Sequence, residues 1–288
     1  MARDPRYDVL FESVQIGPVT APNRFYQVPH CTGMGSAQPN SLAAMRATKA
    51  EGGWGVVCSE YCSVHSSADD YPWPHCTLWD NEDIRTHALM TESVHAHGSL
   101  AGVELWYGGI GTASLGSRQP PLSVTSSPIG HHPIQTRAMD KADIREFIRW
   151  HREAALRGKA AGYDIVYVYA CHGSHGYLPG YFQSAKTNHR IDEYGGSLEN
   201  RIRLTRELIE EVKDAVGDSC GVAVRFSADL GPGGPAPIER GEQLEMFAML
   251  AELPDIWDIT TNDFSSIDVF IVNPSVLENN GDLPTRSL

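Results

Sequence analysis

Residues 23–31, Asn-Arg-Phe-Tyr-Gln-Val-Pro-His-Cys, combine a short apolar run with a lone thiol directly after it. The run Arg24 to Val28 is rich in aromatic and β-branched residues, which predicts a strand, and Pro29 ends it because proline cannot donate to a sheet ladder. Cys31 therefore lies just past a strand end. Taken alone, such a cysteine is most often a buried, inert thiol, so its meaning depends on the rest of the chain.

Further short apolar runs recur along the chain, separated by longer segments with helical spacing. They predict six strands, at 24–29, 54–61, 99–106, 164–170, 221–226 and 256–260. One helical stripe contains Leu198, Ile202, Leu208, Val212 and Ala215, and another contains Ile144, Phe147, Ile148 and Ala155. Asp140 and Ser197 precede these stripes as predicted N-caps. Strands that are apolar on both faces and alternate with helices predict a parallel sheet, and the repeat favours a barrel over an open sheet only weakly.

Composition narrows the function classes. With 288 residues, 41% of them apolar, the chain can form one large α/β domain. A net charge of −13 argues against nucleic-acid and anionic-membrane surfaces and is compatible with a cationic substrate. No apolar run approaches the length of a membrane span, and the charged N-terminus is unlike a signal peptide, which predicts a cytoplasmic protein. The six cysteines show no CxxC pair and no zinc spacing, so no metal site is predicted.

Several motifs resemble one family in the order in which that family carries them. Besides residues 23–31 they are AEGGWG at 50–55, EYCS at 60–63, AGVELWYGG at 101–109, AGYDIVYVYA at 161–170, DEYGGSLENR at 192–201, VRF at 224–226 and WDIT at 257–260. Together they resemble the old yellow enzyme family of FMN oxidoreductases, and within it the trimethylamine and dimethylamine dehydrogenase branch. This resemblance implies a (β/α)8 TIM barrel.

About six of the eight βα units of such a barrel are present, within residues 1–263. The seventh and eighth strands, with the loops that hold the flavin phosphate in this family, would lie beyond residue 288. Residues 264–288 depart from the family pattern, and we expect a divergent tail there, produced by a frameshift or truncation near Ser265.

The resemblance implies a flavin-binding role for residues at the carboxyl ends of the strands, where functional groups of barrels gather. Backbone groups of Val28, Pro29 and His30 would contact the ring, and Cys31 would bond to it covalently, as in the amine dehydrogenase branch. Glu104 would accept hydrogen bonds from the pyrimidine edge, and Arg225 would stabilise negative charge on the reduced ring. Taken without a flavin, a buried Glu104 calls for an internal partner, either Arg24 or Arg225.

Substrate contacts are implied at three further strand ends. Tyr61 matches one wall of an aromatic bowl that receives a methylammonium group. Tyr169 with His172 matches the branch's pattern of a tyrosine followed by a histidine. The loop YACHGSHGYLP is about three residues longer than that pattern, so His175 competes with His172 for the role, and Tyr177 lies in the same loop. A pairing of His172 with His175 instead resembles the alkene-reducing relatives.

The predicted function is therefore an FMN-dependent amine dehydrogenase that oxidises an N-methylated or related amine. The alternatives are an NAD(P)H-dependent alkene reductase of the 2,4-dienoyl-CoA type and a non-catalytic barrel fragment. The resemblance implies a 4Fe-4S cluster in full-length relatives, but the chain has no clustered cysteine run to ligate one. The resemblance is also compatible with an electron-acceptor protein as a partner and with a homo-oligomer.

Overall fold

The computed structural model describes residues 4–73, 75–130, 132–171, 177–227 and 240–260. Its strands, in chain order, are β1 Val14–Ile16, β2 Val19–Ala21, β3 Tyr26–Gln27, β4 Val56–Ser63, β5 Cys76–Thr77, β6 Leu100–Trp106, β7 Leu122–Ser123, β8 Arg137–Ala138, β9 Ile165–Ala170, β10 Gly221–Ser227 and β11 Ile256–Thr260. Its α-helices are α1 Pro39–Glu51, α2 Asn81–His95, α3 Lys141–Ala160, α4 Gly180–Gln183, α5 Leu198–Val216 and α6 Arg240–Leu250.

A parallel sheet organises the molecule, with the strand order β11-β10-β9-β6-β4-β3 and β5 added beside β4. All six predicted strands are confirmed. The first is much shorter than predicted, Tyr26–Gln27 instead of 24–29, because Arg24 donates its backbone N–H to Leu10 O instead of joining the ladder. Within the described residues, the curled sheet forms part of a (β/α) barrel.

The two faces of the sheet pack against different parts of the molecule. Alternate residues of β4, β6, β9 and β10, such as Val57, Val103, Val166 and Val224, face the helices and form the large core with them. The intervening residues face the inside of the curl, where Cys58, Ile165, Tyr167 and Ala223 form a second cluster. Because side chains alternate between faces along a strand, the inward positions nearest the carboxyl ends form the mouth of the barrel.

The predicted caps of two outer helices are confirmed. The Asp140 carboxylate accepts hydrogen bonds from the N–H groups of Ala142 and Asp143, and the Asp143 side chain returns a bond to the N–H of Asp140, which forms a capping box on α3. Ser197 Oγ accepts from the N–H of Asn200 at the start of α5.

An antiparallel hairpin, β1 with β2, was not predicted. Its turn residues are Gly17 and Pro18, and Gly17 has a φ of 54°, a conformation that glycine adopts without strain. Ile16 and Ala21 pack from this hairpin into the inner cluster at the amino-terminal end of the strands. The alternating sequence VQIGPVTA was the available signal.

Two sequence-based expectations fall outside the described residues. His172 and His175 lie in the stretch 172–176, and the expected tail 264–288 lies within 261–288.

Candidate active site

Six of the predicted site residues meet at the carboxyl edge of the parallel sheet. Cys31 follows β3, Tyr61 lies in β4, Glu104 in β6, Tyr169 in β9 and Arg225 in β10. Tyr177 packs against the same cluster from the loop after β9. Because neighbouring strands run in parallel, the folding of the sheet alone brings these distant positions to one end.

Arg225 lies between two carboxylates inside the mouth. Its Nε donates to Asp258 Oδ2 at 2.8 Å, and its Nη1 lies 3.2 Å from Glu104 Oε1 and donates to Glu104 Oε2 at 3.3 Å. Its Nη2 donates to the carbonyl oxygen of Pro29 at 2.8 Å. Of the two partners considered for Glu104, the structure therefore selects Arg225, whereas Arg24 donates its Nε to Val9 O at 3.0 Å.

Arg225, Glu104 and Asp258 form a buried charged layer at the mouth. Burial and mutual charge shift the pKa values of Glu104 and Arg225. Burial raises the pKa of Glu104 to about 7, since the positive charge of Arg225 opposes the shift only in part and Asp258 adds to it. Burial alone would lower the pKa of Arg225, but Glu104 and Asp258 outweigh that effect and raise it, so Arg225 stays a cation. Asp258 is a site residue that sequence reasoning missed. Its signal was a single acid inside the apolar run of β11, in register with Arg225.

Glu104 retains an unused acceptor. Its Oε1 is fully buried and pairs with Arg225 Nη1 by charge at 3.2 Å, but it accepts no hydrogen bond of good geometry from the described residues. A buried carboxylate oxygen without a donor is unfavourable, and an N–H group on the edge of a flavin pyrimidine ring would satisfy it. The residues at the mouth therefore fit the flavin that the sequence implies.

Aromatic side chains form a continuous wall beside this charged layer. Ring centroids lie 4.6 Å apart for Tyr61 and Trp106, 5.4 Å for Trp106 and Tyr177, and 6.0 Å for Tyr169 and Tyr177. Trp106 and Tyr169 are buried, whereas Tyr61 and Tyr177 are half-buried and present ring surface to the mouth. Trp106, part of the ELWYGG motif, was not predicted as a site residue.

A carboxylate lies behind the wall. Asp70 Oδ2 accepts a hydrogen bond from the Tyr61 hydroxyl at 2.5 Å. Burial raises the pKa of Asp70, and the bond from Tyr61 opposes that shift. Sequence reasoning missed Asp70, because nothing in the local pattern connects it with Tyr61.

Cys31 is exposed, in contrast to the five other cysteines, which are buried. The generic alternative for an isolated cysteine, a buried thiol, therefore does not apply to Cys31. Although the residue is exposed, partial burial of its sulfur raises the pKa of the thiol, and the nearby Glu60 adds to this. Hydrogen bonds from the Gly33 N–H and the Tyr61 side chain act in the opposite direction. Cys31 thus lies close enough to Tyr61 of the aromatic wall to influence its electrostatics.

The carbonyl groups before Cys31 accept bonds from protein side chains. Gln27 Nε2 donates to Val28 O, Arg225 to Pro29 O, and Arg46 Nη2 to His30 O at 2.8 Å. The imidazole of His30 lies beside Arg46, and burial together with that positive charge lowers the pKa of His30. His30 is therefore neutral at neutral pH.

Besides Tyr177, Tyr169 has Cys171 as a described neighbour. The side chains of Tyr169 and Cys171 hydrogen-bond to each other, and burial raises the pKa of both groups well above its ordinary value. The histidines predicted to pair with Tyr169 lie outside the described residues.

Comparison with known proteins assigns the chain to a family. A sequence model of the NADH:flavin oxidoreductase / NADH oxidase family matches residues 9–269. The chain belongs to this family. The resemblance to old yellow enzymes and to their amine dehydrogenase branch is thereby confirmed.

Three relatives illustrate the similarity. Dimethylamine dehydrogenase from Hyphomicrobium sp. (strain x) is 39% identical over 275 residues, covering 92% of this chain and 36% of the relative. The structure of 6-hydroxypseudooxynicotine amine oxidase from Pseudomonas geniculata N1 matches with a TM-score of 0.86 and 45% identity, covering 91% of this chain and 39% of the other. Histamine dehydrogenase from Rhizobium sp. 4-9 matches with a TM-score of 0.85 and 42% identity, covering 90% and 38%. The chain thus spans less than two fifths of each relative.

Two further properties concern the described part of the chain. None of its helices is long and apolar enough to cross a membrane. Within the same residues, no cluster of three or more His, Cys, Asp or Glu side chains is arranged to hold a metal ion.

Proposed function

We propose that this chain forms the flavin-binding and amine-binding part of an FMN-dependent amine dehydrogenase. The observation that carries the proposal is the meeting of an aromatic wall with a buried Arg225–Glu104 pair at the mouth, where Glu104 Oε1 accepts no hydrogen bond from the described residues and the exposed Cys31 follows β3. It is supported by the names of the relatives, which are a dimethylamine dehydrogenase, a histamine dehydrogenase and an amine oxidase.

Four groups of this chain would hold the flavin. Glu104 Oε1 would accept a hydrogen bond from the pyrimidine edge, and Arg225 would place its positive charge against the ring. The backbone of Val28 to His30 would line the same edge. Cys31 would hold the ring covalently: its sulfur would take the place of one ring hydrogen, the thiol hydrogen and that ring hydrogen would leave as protons, and dioxygen would accept the two electrons and become hydrogen peroxide.

Bound flavin supplies an acceptor for the two electrons and the hydrogen that leave the carbon next to the amine nitrogen. Water then converts the iminium product into an aldehyde and the shorter amine. The protein's contribution is to bind the substrate as a cation. The half-buried faces of Tyr61 and Tyr177 attract an ammonium group by cation–π interaction, and the Asp70 carboxylate behind Tyr61 adds negative potential.

Denaturation tests the covalent part of this proposal. When the parent is loaded with FMN and then unfolded, the flavin should stay on the polypeptide, whereas a Cys31→Ala variant should release it. Cys220→Ala is a matched control, since Cys220 is buried at the opposite end of β10 and should leave the attachment intact. Quantitative release of flavin from the unfolded parent would show that Cys31 forms no bond.

A further inference from the structure

Two fully buried charged residues hold the loop that carries Cys31 from both sides. One is Glu60 in β4, and the other is Arg46 in α1, and both side chains have 0% exposure. Neither belongs to the aromatic wall or to the charged layer around Arg225. A buried charge is stable only when it is paired or hydrogen-bonded, so the partners of these two groups are strongly determined.

Glu60 holds the loop on the carboxyl side of Cys31. Its Oε1 accepts hydrogen bonds from the backbone N–H of Thr32 at 2.7 Å and from the Thr32 hydroxyl. Its Oε2 accepts from the N–H of Gly35 at 3.1 Å, and the Cys76 thiol lies 3.8 Å away. Thr32 and Gly35 thus bond to a side chain of another strand rather than to backbone.

A bulge in β4 explains why Glu60 can reach this loop. The register between β4 and β6 shifts between Cys58, opposite Gly102, and Tyr61, opposite Glu104. The extra residue on β4 breaks the alternation of side chains, as bulges near functional sites commonly do. Cys58 faces the inside of the curl, and strict alternation would turn Glu60 inward as well. Because of the extra residue, Tyr61 points to the mouth instead, and Glu60 points to the Cys31 loop.

Arg46 holds the loop on the amino side of Cys31. Its Nη2 donates to His30 O at 2.8 Å and to Ser59 O at 3.2 Å. Its Nη1 donates to Gln27 Oε1 at 2.9 Å and lies 3.2 Å from His30 Nδ1. The Arg46 guanidinium thus connects Gln27 and His30, which precede Cys31 in the chain, with Ser59 of β4.

We propose that Glu60 and Arg46 are positioning residues that set the place of the Cys31 sulfur for its bond to the flavin. The proposal rests on the proposed function for the identity of the bonding partner. Bond formation needs the two reacting atoms held near contact distance, and a loop on flexible backbone alone would hold them there only rarely. Charge-assisted hydrogen bonds on both sides of the thiol restrict that motion.

Glu60 and Arg46, with their bonds to the Cys31 loop, are called the clamp below. Thr32→Val tests the clamp mildly, because it removes the hydroxyl bond to Glu60 but keeps the backbone bond and the side-chain shape. Thr48→Val is the matched control, an exposed threonine on α1 whose hydroxyl bonds only to Ala44 O. Glu60→Gln is the stronger variant, since it removes the negative charge and places an NH2 group against one of the two backbone N–H donors, Thr32 or Gly35. Arg46 is left unchanged throughout.

Two readouts are compared in each protein. The first is the fraction of flavin that remains attached after unfolding. The second is measured without flavin and follows alkylation by iodoacetamide. Intact mass gives both the rate of alkylation and the number of cysteines labelled. Only Cys31 among the six cysteines is exposed, so a folded protein should gain one label.

Thr32→Val should attach flavin about three- to tenfold more slowly and alkylate Cys31 faster, still with a single label, while Thr48→Val should match the parent. Glu60→Gln should show the same changes more strongly. Opposite changes in the two rates indicate lost positioning rather than lost reactivity. The clamp is wrong when Thr32→Val equals the parent in both readouts, or when its buried cysteines become labelled, which indicates general destabilisation.

The two proposals can fail separately. A parent that attaches no flavin contradicts the covalent part of the proposed function. The alkylation rates then still decide on the clamp: faster labelling of Thr32→Val with one label supports it, and an unchanged rate overturns it.

Discussion

At the scale of single residues, the site depends on one cation shared by two acids. Arg225 bonds to both Glu104 and Asp258, so neither carboxylate has the full positive charge to itself. This sharing, together with complete burial, explains why Glu104 has a raised pKa while Arg225 remains charged. A flavin N–H donor to Glu104 Oε1 would favour the ionised form of Glu104, because hydrogen bonds to the charged form lower a pKa.

The raised pKa of Glu104 predicts a pH dependence of stability for the flavin-free protein. Between the ordinary glutamate value of 4.5 and about 7, the unfolded chain has lost this proton while the folded protein still binds it. The contribution of Glu104 to the free energy of unfolding should therefore fall as the pH rises through this window and level off above it. The measurement is the difference in unfolding free energy between the parent and Glu104→Gln, taken by denaturant titration across the window. A difference that stays constant or rises with pH contradicts the assignment.

Tyr61 gives a prediction about substrate charge. Tyr61→Leu removes an aromatic face and should weaken ammonium binding by about 2- to 30-fold, the range of one cation–π contact. Tyr61→Phe keeps the face and should bind the ammonium no more weakly than the parent. The measurement compares the dissociation constants of dimethylamine and of its uncharged isostere, dimethyl ether, in the flavin-loaded protein. An equal loss for both ligands would indicate lost packing instead of a cation site.

At the scale of elements, local sequence signals account for the frame. The run Ile165 to Ala170 is apolar at every position, and the structure buries it on both faces as β9. The site residues that were missed depend instead on contacts between elements. Asp258 becomes the partner of Arg225 through strand register, and Glu60 becomes the partner of Thr32 through the bulge in β4. Asp70 becomes the partner of Tyr61 through the path of the loop after β4. A single sequence specifies none of these.

The cap of α3 provides a test at this scale. Asp140→Ala should lower the free energy of unfolding by about 1 kcal/mol, because two N–H groups at the helix start lose their acceptor. Asp140→Asn keeps an acceptor oxygen and should stay close to the parent. Denaturant unfolding monitored by circular dichroism measures both. Equal stability of all three proteins would mean that the capping box does not support the helix.

At the scale of the whole molecule, the sheet has a protected centre and less protected sides. β9 is hydrogen-bonded to β6 and to β10, whereas within the described residues β11 pairs only with β10. In hydrogen exchange, amides of β9 should be among the slowest, and the amides of β11 that point away from β10 should exchange near the rate of open backbone. Slow exchange along all of β11 would show that another segment pairs with it.

The overall fold could be predicted from the sequence only in part. The parallel sheet followed from the alternation of strands and helices, but the barrel required the family motifs, since alternation is common to open sheets. The predicted strand bounds were least accurate where another segment bonds to the same backbone, as at Arg24. The β1–β2 hairpin was not predicted at all. The roles of His172 and His175 and the divergence of residues 264–288 stay predictions.

The proposed function stands or falls with what reduces the bound flavin. The flavin-loaded protein is mixed without oxygen with dimethylamine, with histamine and, separately, with NADPH, and the visible absorbance of oxidised flavin is followed. We predict that at least one amine bleaches this absorbance with no nicotinamide cofactor present and that NADPH alone does not. Bleaching by NADPH but by neither amine would contradict the proposal and favour the alkene reductase, and no bleaching of bound flavin by any of them would favour a non-catalytic barrel.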